Sequence, residues 1–266
     1  MPTIELDGVS LHYTDEGSGE PVVLIHGFPL SLELWKPQRA ALSADYRVIA
    51  PDLRGHGRSD PPPGDTSMAQ YADDVVALMD SLGIGAATVG GLSMGGYIVM
   101  AMLRRHPNRV RSIMLMSTKA TADTEAGKQG RNEMIALAQS EGAAAVAEKM
   151  LPRMLTAQTR AEDPELVEFV RSMMSSTSVA GIVGALEALR DRPDSTATLQ
   201  GLQLPALIVG GAEDELATRA DLEAMHHAIP GSSLEIVPEA SHLVNLEQPE
   251  AVNQAILDFL EKTFQD

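Results

Sequence analysis

Short β-branched runs alternate with longer amphipathic stretches through the first half of the chain. The strand-like runs are "PVVLIHG", "YRVIAPD", "AATVGG" and "VRSIMLMS", and helical patterns at residues 31–43, 67–82 and 94–106 separate them. Strands separated by helices form βαβ units, so this order predicts a parallel sheet. The strand-like runs are continuously apolar, as expected when helices cover both faces of a sheet.

The alternation stops in the middle of the chain and resumes near its end. Residues 119–196 contain no strand-like run, but they contain helical stretches such as "NEMIALAQS", "AAAVAEKML", "PELVEFVRSMM" and "VAGIVGALEALR". The runs "LPALIVGG" and "SSLEIVPEA" then alternate with helices near 218–228 and 247–263. We therefore predict a helical cap at 119–196, inserted into one α/β core that residues 1–118 and 197–266 form together.

The composition limits the classes of partner. The chain has 266 residues, of which 44% are hydrophobic, enough for a sizeable core. Its 37 acidic and 20 basic residues give a formal charge of −17, which repels nucleic acid and anionic membrane surfaces. The absence of cysteine excludes disulfides, thiolate metal sites and a cysteine nucleophile. No secretory-signal pattern opens the chain, so we expect a cytoplasmic protein.

One serine stands among glycines where a strand-like run gives way to a helical one. Gly91, Ser93 and Gly95 form the pattern Gly-x-Ser-x-Gly, directly after "AATV" and directly before "YIVMAML". Such a sharp turn lifts a hydroxyl off the carboxyl edge of the sheet, and larger flanking side chains would collide with neighbouring backbone. This context predicts Ser93 as a nucleophile rather than an incidental serine in a packing turn.

A serine hydroxyl needs a base to activate it and an acid to orient that base. His242 lies in "PEASHLVNLEQPE", after a strand-like run and before the final helix. Loops that follow parallel strands gather at one edge of the sheet, so His242 can meet Ser93 there. The acid is expected between them in the chain, where "LPALIVGGAEDE" supplies Glu213, Asp214 and Glu215. The other histidines are less suitably placed: His12, His26, His56, His106, His226 and His227.

The loop "LIHGFPLS" is a candidate for stabilising a negatively charged oxygen. A backbone N–H in a loop that follows a strand can point at the reaction centre, so Phe28 and Met94 are the predicted oxyanion-hole donors. His26 is predicted to brace this loop. Three residues that border the candidate catalytic groups in the sequence are predicted to line the substrate pocket: Gly27, Leu92 and Leu243.

Five motifs together resemble the α/β-hydrolase fold serine esterases over nearly the whole chain. They are "HGFPLSLELW", "VIAPDLRGHGRSD", "GGLSMGGY", "GGAEDE" and "SHLVNLEQPE", in that family's order and with similar spacing. The resemblance implies a mostly parallel eight-stranded sheet flanked by helices, with a helical cap between strands six and seven. It also selects Asp214 as the acid that accepts the ring N–H of His242. Small bacterial carboxylesterases and enol-lactone hydrolases are the most similar members.

We therefore hypothesise that the chain hydrolyses short- to medium-chain acyl esters through Ser93, His242 and Asp214 and an acyl-enzyme intermediate. The expected partner is a small-molecule ester, bound by a monomer or a small homo-oligomer without cofactor or metal. Enol-lactone hydrolysis and cofactor-free perhydrolase or haloperoxidase chemistry are alternatives. A further alternative is a receptor that has the same fold, binds a small ligand and turns it over slowly.

Overall fold

Eight strands form one central sheet, in which the spatial order of the strands differs from their order in the chain. The computed structural model describes residues 2–6, 8–61, 64 and 66–265. The strands are β1 (Thr3–Leu6), β2 (Val9–Glu16), β3 (Pro21–Ile25), β4 (Arg47–Pro51), β5 (Ala87–Leu92), β6 (Val110–Met116), β7 (Ala206–Gly211) and β8 (Ser233–Val237). They lie in the order β1-β2-β4-β3-β5-β6-β7-β8. Only the pairings of β2, with β1 and with β4, are antiparallel. This confirms the predicted mostly parallel, eight-stranded sheet.

Helices lie on both faces of the sheet. They are α1 (Lys36–Leu42), α2 (Met68–Ser81), α3 (Met94–Arg105), α4 (Glu125–Met150), α5 (Ala157–Glu162), α6 (Pro164–Ser175), α7 (Val179–Arg190), α8 (Thr196–Gln200), α9 (Arg219–Ala228), α10 (Val244–Glu247) and α11 (Pro249–Gln265). Alternate residues of a strand face opposite sides. Thus Val23 and Ile25 of β3 pack in the core that includes α2, α3 and α9. Val22 and Leu24 pack in the other core, with α1 and α11.

The chain between β6 and β7 forms the helices α4 to α8, the last of which continues four residues past the predicted end of the cap at residue 196. Helix α4 packs against α6 and α7. It is broken at Gly142, whose φ of 82° and ψ of −176° are not helical. Among the described residues, no single helix is long and apolar enough to cross a bilayer, although α6 and α7 together reach that composition across a 90° bend.

The loop that follows β4 is fixed by buried charged groups. The Asp52 carboxylate accepts the backbone N–H of Leu32 at 2.7 Å and of Arg58 at 3.0 Å, and its other contact is His12 Nδ1 at 3.0 Å. Two residues further on, the Arg54 guanidinium makes two hydrogen bonds to the Asp74 carboxylate of α2. These contacts fasten the loop to β2, to α2 and to the loop that follows β3.

Two buried histidines hold the loops that follow β3 and β4 together. His26 Nε2 accepts the N–H of Leu53 at 3.0 Å, and the rings of His26 and His56 are 5.2 Å apart. Burial, with the adjacent His56, lowers the pKa of His26 to about 3, and burial lowers the pKa of His56 to about 4. Both rings are therefore neutral in the folded protein near neutral pH.

Removal of the Asp74 carboxylate should destabilise the fold strongly. In Asp74→Ala, the buried Arg54 guanidinium loses the two hydrogen bonds to the Asp74 carboxylate, and breaking a buried ion pair typically costs about 3–5 kcal/mol. Denaturant unfolding of Asp74→Ala and of Asp73→Ala measures the effect. Asp73 is the neighbouring residue of α2, and its partners Arg105 and His106 lie nearer the surface. Equal losses of unfolding free energy in the two variants would contradict the assignment.

Acidification should destabilise the fold through the two buried histidines. Below about pH 6.5 the unfolded chain takes up protons at these rings, whereas the folded chain does not until pH falls towards 4 for His56 and 3 for His26. Their contribution to stability is therefore present above pH 6.5 and lost as pH falls.

His56→Asn keeps a side-chain donor for the Arg54 carbonyl, which His56 Nδ1 contacts at 3.0 Å. We expect its unfolding free energy to fall by about 2 kcal/mol less than that of the wild type between pH 7 and pH 5. The measurement is urea unfolding at both pH values. His227→Asn, on the exposed surface, is the control, and the same pH dependence in both variants would refute the prediction.

Candidate active site

Ser93 occupies a strained turn between β5 and α3. Its φ of 54° and ψ of −112° lie outside the helical and strand regions. Such backbone costs of the order of 1–3 kcal/mol and persists only where the surroundings impose it. Here a Cβ on Gly91 would lie 2.2 Å from the Gly95 carbonyl carbon, and one on Gly95 would lie 2.1 Å from the Ile25 carbonyl oxygen. The flanking glycines are therefore required by close backbone packing, as the sequence predicts.

Backbone hydrogen bonds fix the orientation of this turn. The Ser93 N–H donates to the Met116 carbonyl at 2.9 Å, and the Thr118 hydroxyl donates to the Ser93 carbonyl at 2.9 Å. Met116 is the last residue of β6, the next strand of the sheet, and Thr118 lies two residues beyond it. The serine side chain is consequently held at the carboxyl edge of the sheet.

His242 and Asp214 meet at the same edge, in the loops after β8 and β7. His242 Nδ1 and Asp214 Oδ2 are 2.9 Å apart, and the side chains are only 4% and 0% exposed. Asp214 Oδ1 accepts the N–H groups of Leu216 at 2.7 Å and of Ala217 at 3.1 Å. With Nδ1 engaged by the carboxylate, Nε2 is the ring nitrogen left for another partner.

The surroundings of Asp214 favour its charged form. Burial alone would raise the pKa of this carboxyl, but His242 and the N–H groups of Ala217 and Leu216 outweigh it and hold the pKa below its usual value. A charged carboxylate holds the imidazole in the tautomer with its proton on Nδ1, which leaves Nε2 able to accept a proton.

A cavity of about 520 Å³ connects these groups, because Ser93 and His242 both line it. Core residues such as Phe28 and Tyr97 form one part of the wall, and residues of α4 form another. The volume is in the range of about 300–1,000 Å³ that is typical of small-molecule sites.

Phe28 and Met94 occupy positions compatible with N–H donors to this cavity. Phe28 lines it, and Met94 is the first residue of α3, where backbone N–H groups have no acceptor within the helix. Within the described part of the chain, no hydrogen-bond acceptor is found for either N–H. His26 Nδ1 lies 2.8 Å from the Gly27 carbonyl oxygen, so its ring does hold the loop that carries Phe28.

The predicted pocket residues Gly27, Leu92 and Leu243 do not line the cavity, and this prediction is corrected. Leu92 and Leu243 are fully buried in the core with α1 and α11. Leu92 is next to Ser93 in the sequence, but it is the last residue of a strand and packs into that core. Gly27 lies against Leu92 and Ser93, since a Cβ there would be 3.1 Å from the Leu92 carbonyl oxygen and 3.3 Å from Ser93 Cβ.

Sequence reasoning missed a charged cluster in the cavity wall. Asp123 and Arg131 line the cavity, and Arg192 lies behind them. Arg131 Nε donates to Asp123 Oδ2 at 3.0 Å, and Arg192 Nη2 donates to Asp123 Oδ1 at 2.7 Å. The Arg192 guanidinium also lies 4.2 Å from the centre of the Tyr97 ring. Helical periodicity can distinguish the apolar face of α4 from its polar face, but it cannot show which residues of the helix line the cavity.

Comparison with known proteins agrees with this architecture. A family model described as the alpha/beta hydrolase fold matches residues 20–249. The 3-oxoadipate enol-lactonase 2 of Acinetobacter baylyi is 32% identical over 256 residues, which cover 96% of this chain and 94% of that enzyme.

Two solved structures are similar over almost their whole length. An esterase from Thermogutta terrifontis, with malate bound, has a TM-score of 0.94 at 39% identity, covering 98% of this chain and 97% of that one. An enol-lactonase from Burkholderia xenovorans has a TM-score of 0.92 at 33% identity, covering 98% and 100%. The family match and these relatives confirm the resemblance found in the sequence, and the chain belongs to the α/β hydrolase fold family.

Proposed function

We propose that the protein is a serine hydrolase that cleaves carboxylic esters, with Ser93 as nucleophile, His242 as base and Asp214 as the acid that orients it. The observation that carries the proposal is the buried Asp214–His242 hydrogen bond beside a cavity whose wall also contains Ser93. The esterase and enol-lactonase relatives support the same class of reaction.

The reaction divides into two acyl transfers. In the first, the Ser93 hydroxyl attacks the ester carbonyl, His242 Nε2 takes the hydroxyl proton, and the N–H groups of Phe28 and Met94 stabilise the oxyanion. The proton passes to the leaving alcohol as the ester C–O bond breaks. In the second, water attacks the acyl-enzyme, gives its proton to His242, and releases the acid as Ser93 regains a proton. Asp214 remains charged and stabilises the imidazolium in both steps.

Cations border the cavity of this acidic protein and favour a second, narrower candidate function. Four of the lining residues are cationic, namely Lys119, Arg131, Lys149 and Arg153. Three are acidic, namely Asp123, Glu133 and Glu215. Asp123 is bonded to two arginines. Burial alone would raise its pKa, but Arg192 and Arg131 hold that pKa below the usual value.

The Arg131 guanidinium is suited to bind an anionic group in the substrate. Arg131 lines the cavity, and among the hydrogen bonds of the described residues only its Nε is engaged, by Asp123, which leaves its terminal nitrogens as donors. A guanidinium binds carboxylates strongly through such a fork of donors. The second candidate is therefore hydrolysis of an ester or lactone that carries a carboxylate. The Acinetobacter baylyi relative, named for an enol-lactone of the dicarboxylate 3-oxoadipate, supports it.

Loss of the Ser93 hydroxyl should abolish ester hydrolysis. Against p-nitrophenyl butyrate, Ser93→Ala should lower kcat/KM by about 10⁴-fold or more, because the covalent step loses its nucleophile. Ser140→Ala, on the exposed part of α4, is the matched control and should retain activity. Circular dichroism of both variants checks the fold. Substantial turnover by a folded Ser93→Ala protein would overturn the proposed function.

Arg131→Gln should reduce selectivity for a carboxylated ester. The test compares the mono-p-nitrophenyl ester of adipic acid with p-nitrophenyl hexanoate, which has the same acyl length without the charge. We expect kcat/KM for the adipate ester to fall about tenfold or more, with the hexanoate value changed by less than about twofold. Arg171→Gln, on the outer surface of α6, controls for net charge. An equal fall for both esters would argue against the carboxylate-binding role.

A further inference from the structure

We propose that Glu247 is a positioning residue for His242 and that it fastens the cap segment to the loop that carries His242. The inference rests on the proposed function, since it gives Glu247 a role through the proposed base. Glu247 ends α10, five residues after His242, and its side chain is half-buried. No step of the ester cleavage described above uses it directly.

One carboxylate joins two distant parts of the chain. Glu247 Oε2 accepts the N–H of Ser241 at 2.7 Å, in the residue that precedes His242. Its Oε1 accepts the N–H of Thr156 at 2.8 Å, at the start of α5 and 91 residues away along the chain. Short bonds from backbone N–H groups to a charged oxygen are stronger than those between neutral groups.

A direct backbone hydrogen bond joins the same two parts of the chain that the Glu247 carboxylate joins. The N–H of Leu243, the residue that follows His242, donates to the Met154 carbonyl at 3.0 Å. The residues on both sides of His242 are thus bonded to the same short segment, 154–156, either directly or through Glu247. The backbone of His242 is held at two points by the part of the chain between β6 and β7.

The same loop is also bonded to the one that carries Asp214. The Glu213 N–H donates to the Ala240 carbonyl at 2.9 Å, and the Ser241 hydroxyl donates to the Glu213 carbonyl at 3.4 Å. Movement of Ser241 would consequently disturb both partners of the Asp214–His242 bond. Glu247 lies outside that pair, but its contact with Ser241 limits such movement.

A glutamine at position 247 would satisfy only one of the two N–H groups. The amide oxygen can accept from Ser241 or from Thr156, but its NH₂ group would face the other donor. Glu247→Gln therefore tests the paired contact with little change in size. Glu247→Ala removes both contacts and tests the full effect.

The kinetic test compares Glu247→Gln and Glu247→Ala with Glu250→Gln, an exposed substitution three residues further along. With p-nitrophenyl butyrate, we expect kcat to fall about tenfold in Glu247→Gln and about a hundredfold in Glu247→Ala, because small misplacements of a reacting group have effects of this size. KM should stay within about twofold, and Glu250→Gln should match the wild type. A wild-type kcat in Glu247→Ala would overturn the proposal.

Two further measurements do not depend on turnover. Amide hydrogen exchange at Ser241 and Thr156 should accelerate about tenfold or more in Glu247→Gln, while the downfield NMR signal of the His242 Nδ1 proton should shift or broaden. Unchanged exchange at both amides and an unchanged signal would refute the positioning role. If exchange and the signal change as expected but the wild type cleaves no ester, the proposed function fails and the contact itself stands.

Discussion

The backbone of α3 crosses the end of β3 so closely that no side chain fits between them at Gly95. A Cβ there would lie 2.1 Å from the Ile25 carbonyl oxygen, and Gly91 has the same restriction against Gly95 itself. This contact sets how sharply the chain turns between β5 and α3, and so it forces Ser93 into its strained conformation. It also places the loop after β3, with His26 and its neighbours, directly against the turn. His242 and Asp214 can act on the serine hydroxyl only because this contact fixes Ser93 at the same edge of the sheet.

Buried or half-buried carboxylates organise the surrounding loops in this acidic protein by accepting backbone N–H groups. Asp52 accepts two such groups beside His12, Asp214 accepts two beside His242, and Glu247 joins two loops. At Asp214 the converging donors and His242 outweigh the desolvation penalty and keep the pKa low, whereas at Asp52 burial outweighs its donors and raises the pKa. The same arrangement therefore performs two tasks: it fixes loop geometry, and at Asp214 it maintains the charge that orients an imidazole.

Much of the fold could be predicted from the sequence because local patterns and the folded structure agree. Residues 67–82 and 94–106 were predicted as helices, and the structure forms Met68–Ser81 and Met94–Arg105. The glycines around Ser93 also predict the sharp turn between β5 and α3. The pocket could not be predicted in this way, since neighbours in sequence such as Leu92 face the core. Contacts such as that between Glu247 and Thr156 join residues 91 apart, and no local pattern encodes them.

The cavity draws its groups from two parts of the chain with different constraints. Ser93 and His242 come from loops at the edge of the sheet, where strands, buried carboxylates and close backbone contacts determine each position. Arg131 comes from α4, before the break at Gly142, where a Cβ would meet nothing within 4 Å. After the break, the chain is bonded at residues 154–156 to the loop that carries His242. The Arg131 side chain is thus presented to a ligand by a helix that packs through residues such as Ala138 on the core, whereas Ser93, Asp214 and His242 are placed by the loops at the sheet edge.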